Sequence, residues 1–156
     1  MALQKPKESL QVIPKLKELS CNQVMLLAFV SDLTHPRKTI SPSLLQKYVF
    51  LAQEKKSRHR PCFSYDFMAS HFGPFSKDIV DDLKILQKKR FLKIEKGKIR
   101  QMIRPTCLRV IATDEIETAF RVAKELKGQY PDDSSVVIST YASAKVQDRV
   151  FGEPIK

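Results

Sequence analysis

The apolar period of the chain changes at residue 91, and that change constrains the fold more than any other feature. From Lys77 to Arg90, the residues Ile79, Val80, Leu83 and Leu86 recur at the spacing of a helix with one apolar stripe. From Phe91 to Arg104, Leu92 and Ile94 alternate with polar residues, Lys96, Gly97 and Lys98 interrupt, and Ile99 and Ile103 resume the alternation. Alternation on both sides of a glycine-containing turn predicts a β-hairpin over residues 91–104, with Gly97 supplying a positive φ and Pro105 ending the second strand. A helix leading directly into two short strands needs other helices to cover its stripe.

The preceding segments provide them. Val24, Met25, Leu26, Leu27, Ala28, Phe29 and Leu33 surround most of a helix from Asn22 to Leu33, which Ser20 is placed to cap and Pro36 to end. After a short extended piece, Thr39 to Pro42, the pair Ser41-Pro42 starts a second helix carrying Leu44, Leu45, Tyr48, Val49, Leu51 and Ala52 to about Lys55. Phe63, Tyr65 and Phe67 alternate as a short strand. In His71 to Ser76, Gly73 and Pro74 predict a tight turn with Phe72 and Phe75 packed on either side and Ser76 capping the third helix.

Beyond the hairpin, Thr113 or Asp114 caps a fourth helix bearing Ile116, Ala119, Phe120, Ala123 and Leu126, with Gly128 at its end. Val136, Val137, Ile138 and Tyr141 are β-branched or aromatic and suit a strand, while Ser134 is placed to cap a further helix through Ala144, the preferred reading of the two. The expected organisation is an N-terminal arm (1–19), a core (20–105) and a C-terminal helical extension (106–156). The stripe of the fourth helix suits either packing on the core or pairing with a second copy as a homodimer.

Helix, extended piece, helix, intervening segment, helix and hairpin is the element order of a winged helix-turn-helix, so the expected class is mainly α with a small β component. Charge gives this order a functional direction. The net charge is +11, residues 76–105 carry ten basic against four acidic groups, and residues 106–156 carry seven against eight, so the excess lies before the extension. Lys88, Lys89, Arg90, Lys93, Lys96, Lys98, Arg100 and Arg104 face only Glu95 in the densest positive stretch. Such a wing would grip phosphates of a nucleic acid, with double-stranded DNA the expected form, which gives affinity without sequence information. The competing explanation is a hairpin kept soluble, and its edges kept unpaired, by lysine.

Asp78, Asp81 and Asp82 complicate base reading. They occupy the start of the third helix, the end that a recognition helix normally aims at bases, where phosphates would repel them. They favour a protein-interaction module, an antitoxin-like partner binder or a subunit of a larger complex, in which the hairpin and this acidic turn meet another protein.

Several motifs carry a resemblance. Tyr48 to Gln53 (YVFLAQ), Phe63 to Phe67 (FSYDF), His71 to Lys77 (HFGPFSK) and the stretch Asp82 to Leu92 resemble the YwgA-like and Panacea (SocA-like antitoxin) group of prokaryotic winged-helix proteins. The group shows a "YLAQ" helix, an aromatic extended piece, a "YGPYS" turn and a "DL..L...GLI" helix and strand. Here Phe72 replaces the usual tyrosine and Arg90 a common glycine. The resemblance spans about residues 22–105 and implies a winged helix, with transcription regulation or antitoxin-like partner binding as the associated roles.

Catalysis is not expected. His35, His59 and His71 are separated, His59 with Cys62 and Asp66 with His71 lack further ligands at metal spacing, and no glycine-rich phosphate loop or Ser/His/Asp motif occurs. No enzyme activity, metal or cofactor follows. Tyr48, Phe50, Phe63, Tyr65 and Phe67, beside Lys55, Lys56, Arg58 and Arg60, are candidates for stacking single-stranded bases, although their spacing assigns most of them to buried faces. Three isolated cysteines and no long apolar run predict a protein of the cytoplasm without a membrane partner.

Overall fold

The computed structural model describes residues 14–35, 39–54, 63–71, 73–103, 108, 113–145 and 149–155. The chain is mainly helical with two small antiparallel sheets. In order the elements are α1 (Cys21–Leu33), β1 (Thr39–Ile40), α2 (Pro42–Glu54), β2 (Phe67–Ser70), β3 (Gly73–Phe75), α3 (Lys77–Lys88), β4 (Leu92–Glu95), β5 (Lys98–Gln101), α4 (Asp114–Gln129), α5 (Asp133–Ala144) and β6 (Pro154–Ile155). One sheet has the order β1-β5-β4 and the other β3-β2-β6. No described helix is long and apolar enough to cross a membrane.

The central helix is α1. Ser20 Oγ accepts from the Gln23 N–H at 3.2 Å and Gln23 Oε1 accepts from the Ser20 N–H at 3.0 Å, a reciprocal cap that satisfies two donors at the helix start. Every residue from Met25 to Leu33 is buried, as the wide apolar face predicts. The stripe Ile116, Phe120, Ala123 and Leu126 of α4 is buried, and α4 packs against α1. That stripe is therefore spent within the chain and is not available to a second copy. At the far end of α1, Lys127 Nζ donates to the Asp32 and His35 carbonyls (2.9 and 3.1 Å) and pairs with Asp32 Oδ2 at 2.9 Å. A cation there meets the negative end of the α1 dipole. Leu16, in a helical turn at 14–17, is also buried, so the end of the expected arm belongs to the core.

In α2, all residues from Leu44 to Ala52 are buried, including the polar Gln46 and Lys47. A helix covered all round must satisfy its polar side chains internally, and its glutamines do so by acting as strand neighbours. Gln53 donates to the Tyr65 carbonyl and accepts from the Tyr65 N–H, both at 2.7 Å. Asn22 of α1 accepts from the Ser64 N–H at 3.0 Å. The alternating burial of Phe63, Tyr65 and Phe67 is as expected, but residues 63–66 are held by these amides and not by a strand, and sheet pairing starts only at Phe67. Phe63 has φ 75° and its ring packs on Phe29 with centroids 5.3 Å apart.

Gly73 and Pro74 do not form the expected turn. They lie in β3, paired with Ser70 and Ala69, and the chain reverses around His71. Pro74 fits because β3 is an edge strand, where a missing N–H leaves no gap in the ladder. Phe72 is outside the described residues. Ser76 takes the position before α3, yet its hydroxyl makes no capping bond. Instead Gln46 holds Ser76, accepting from its N–H and donating to its carbonyl, each at 2.9 Å. Pairing of β6 with the other side of β2 had no counterpart in the sequence pattern.

The end of α3 explains the glycine that Arg90 replaces. Helix geometry stops at Lys88, two residues before the expected end, and Arg90 adopts φ 65°. The Arg90 N–H reaches the Gln87 carbonyl (2.9 Å) and the Phe91 N–H reaches the Leu86 carbonyl (3.0 Å), a left-handed termination that glycine adopts without strain. Thr113 caps α4 (3.3 Å to the Ile116 N–H), and the helix runs through Gly128 to Gln129, so Gly128 is not its terminator. The helix expected near 134–144 exists as α5, capped by Asp132 instead of Ser134.

Candidate nucleic-acid interface

The hairpin follows from its turn. Lys96 and Gly97 both have positive φ, 52° and 72°, between the paired Glu95 and Lys98, which is the two-residue turn whose twist matches antiparallel strands. The register then pairs Leu92 with Gln101, Lys93 with Arg100 and Ile94 with Ile99, while β1 adds Thr39 opposite Arg100. Residues opposite each other share a face. Leu92, Ile99 and Ile40 are buried on the inner face, with Ile94 half-buried beside them. On the outer face Lys93, Glu95, Lys98 and Arg100 are exposed, with Lys96 at the tip.

These cations are not equivalent. Lys93 lies 2.7 Å from Glu95, and its hydrogen bond and charge hold the Glu95 carboxyl below the ordinary carboxylate range, with Arg100 adding to the effect. Lys93 is therefore partly neutralised. Lys96, Lys98 and Arg100 have no carboxylate pair of their own among the described residues. Met102, 54% exposed, extends the outer face by the same alternation.

The basic surface continues into the end of α3. Gln87 Oε1 accepts from the Ile94 N–H on the open edge of β4 at 3.1 Å, which anchors the last turn of α3 to the hairpin. Lys88 and Arg90 are exposed there. Lys89 is not part of that surface: it is half-buried and bonded to Glu18 at 3.2 Å. Arg104 lies outside the described residues.

The aspartates also separate. Asp78 and Asp81 are exposed on α3. Asp82 is half-buried and accepts from Tyr65 Oη (2.7 Å) and Gln23 Nε2 (3.0 Å), so it joins α3 to α1 and to the segment before β2. Burial first, and then the bond to Asp82, push the Tyr65 phenol well above its ordinary range. Asp82 is thus an internal acceptor and is withdrawn from any acidic contact surface. Lys77 and Lys84 were missed as surface cations. The periodicity that turns Ile79, Leu83 and Leu86 inward turns them outward, and both are exposed. Val80, expected in the core stripe, is only half-buried.

Stacking of bases by the aromatics finds no surface. Tyr48, Phe50, Phe63, Tyr65 and Phe67 are all buried, and Phe50 and Phe67 pack edge to face with centroids 5.1 Å apart. Lys55, Lys56, Arg58 and Arg60 lie outside the described residues. Among the described residues no cluster of histidine, cysteine, aspartate and glutamate could hold a metal ion. No protein-family model, curated protein or solved structure matches this chain.

Proposed function

We propose that this protein is a non-enzymatic winged-helix protein of the YwgA-like and Panacea kind that grips double-stranded DNA by its phosphate backbone, in a regulatory role. The observation that carries the reading is the outer face of the β1-β5-β4 sheet. Lys96, Lys98 and Arg100 stand clear of the core there, and the C-terminal end of α3 with Lys88 is anchored beside them. The strand order supports the fold assignment, since the strand between the first two helices pairs with the last strand of the hairpin. The resemblance of residues 22–105 supports it too, because its glycine falls at Arg90, where φ is positive.

A duplex would be held and hardly read. Backbone contacts from lysine and arginine release counterions and give affinity that falls steeply with salt. Titration of a duplex at several salt concentrations tests this, comparing the wild type with the variant carrying Lys96→Glu, Lys98→Glu and Arg100→Glu. The slope of log affinity against log salt becomes shallower by roughly 0.9 for each phosphate that is no longer neutralised. Absence of binding at low salt would refute the reading.

The exposed pair Asp78 and Asp81 favours a second reading, an antitoxin-like contact to a protein partner. In that case Asp78→Lys with Asp81→Lys abolishes capture of the partner, and Asp82, being internal, is not part of the contact.

A further inference from the structure

A second surface lies apart from the wing, where the start of α2, the edge strand β3 and the first half of α3 meet. Pro42, Ser43, Gln46, Pro74, Phe75 and Val80 line an apolar groove of about 290 Å³. That is at the low end of ligand pockets, roughly 300–1,000 Å³, and suits one anchoring side chain better than a cofactor. The Gln46 bonds to Ser76 fix both helix starts against it.

Its borders are cationic. Lys47 is 5% exposed; its stem lies beside Gly73 and Tyr141, and among the described residues its ammonium bonds to Ser43, at 3.1 Å to Oγ and 3.5 Å to the carbonyl. No carboxylate among the described residues pairs with it, and burial lowers its pKa. Ser43 both lines the groove and holds this ammonium, so the charge sits at the rim. On α3, Lys77 lies three residues before Val80 and Lys84 four after it, which places both exposed lysines on the groove side. Asp78, two residues from Val80, projects from the opposite side of the helix, whereas Asp81, four residues after Lys77 and three before Lys84, lies beside both lysines.

We propose that this groove docks an acidic peptide segment of a protein partner. One large apolar side chain enters between Pro74, Phe75 and Val80, and flanking carboxylates pair with Lys47, Lys77 and Lys84. Apolar lining bordered by three ammonium groups against the single carboxylate of Asp81 is complementary to that chemistry. Phosphates alone would leave the lining empty. The inference goes beyond duplex binding and uses none of the wing.

The test is fluorescence anisotropy with three labelled peptides of equal length: a central phenylalanine flanked by glutamates, the same peptide with serine for phenylalanine, and the same with lysines for glutamates. The phenylalanine-glutamate peptide binds in the micromolar to low millimolar range, and the other two bind at least tenfold more weakly. Lys47→Met weakens the first peptide about tenfold while melting no lower than the wild type, since it removes a desolvated charge. Val80→Glu abolishes binding, and the triple wing variant retains it. The proposal is overturned if the first peptide does not bind, if all three bind alike, or if Lys47→Met and Val80→Glu bind normally. It is also overturned if a short duplex displaces the peptide as well from the wing variant as from the wild type, or if self-association of the free protein occupies the same groove.

Discussion

Replacing Gln46 by leucine isolates what a side-chain amide contributes when it stands in for a strand. Gln46 is 5% exposed and Ser76 fully buried, so water cannot replace either of the two bonds. The Ser76 N–H is left without its acceptor, which costs about 1–3 kcal/mol for a stranded buried donor, and the Ser76 carbonyl gives up one bond worth ~0.5–1.5 kcal/mol. Leucine nearly fills the space, so the cavity contribution is small, and the expected destabilisation is about 2–4 kcal/mol. Urea denaturation reads this as a fall in midpoint of roughly 1–2 M at an unchanged slope of ~2 kcal/mol/M. Gln46→Glu separates the two bonds. Its carboxylate still accepts from the N–H but faces the carbonyl without a proton, so this variant is less impaired in acid, where the carboxyl can donate. A change below about 0.5 kcal/mol for Gln46→Leu, the size of an ordinary surface substitution, would refute the reasoning.

Three further outcomes follow from the same geometry. Arg90→Gly relieves a left-handed backbone and stabilises by about 0.5–1 kcal/mol, whereas Arg90→Ala changes little; equal denaturation midpoints for the two would contradict this. Tyr65→Phe leaves Asp82 without its closest donor and costs about 1.5–3 kcal/mol near neutral pH. The folded phenol is raised above its unfolded value of 10.0, so its contribution is fully present below that pH and fades as pH rises through the folded value. Urea midpoints across alkaline pH should therefore fall more steeply in the wild type than in Tyr65→Phe. Lys127→Met leaves the buried Asp32 carboxylate unpaired and costs about 2–4 kcal/mol, discounted because Lys127 is partly exposed. Adding Asp32→Asn recovers part of that stability, and thermal melts of the single and double variants measure it.

What was legible in the sequence is what neighbouring residues decide. Ser20 as a cap, Ser41 with Pro42 and Gly97 in its turn each act within four residues, and the structure has them as expected, adding the reciprocal bond from Gln23 and a positive φ at Lys96. Gly73-Pro74 signalled a local turn, but pairing with Ser70 and Ala69 overrode it. The wing's cations could be read from alternation. Which of them stay free could not, because Lys89 finds Glu18 and Asp82 finds Tyr65 and Gln23 across long separations. For the same reason Gln46 and Lys47 gave no sign of their burial: the elements that cover α2 come from distant parts of the chain.

The turn at Lys96 and Gly97 has a consequence for how variation in the wing should be interpreted. In a strand pair with period two, one residue of slip exchanges the faces, so one added residue at the tip would bring Lys93 or Arg100 toward the space now filled by Leu92 and Ile99. Such an insertion leaves the composition of both strands and their total charge untouched. The outward direction of the charge is thus held by the two backbone angles of the turn together with the apolar alternation of Leu92, Ile94 and Ile99. A homologue with every lysine in place but a three-residue tip would need a compensating bulge to present the same surface.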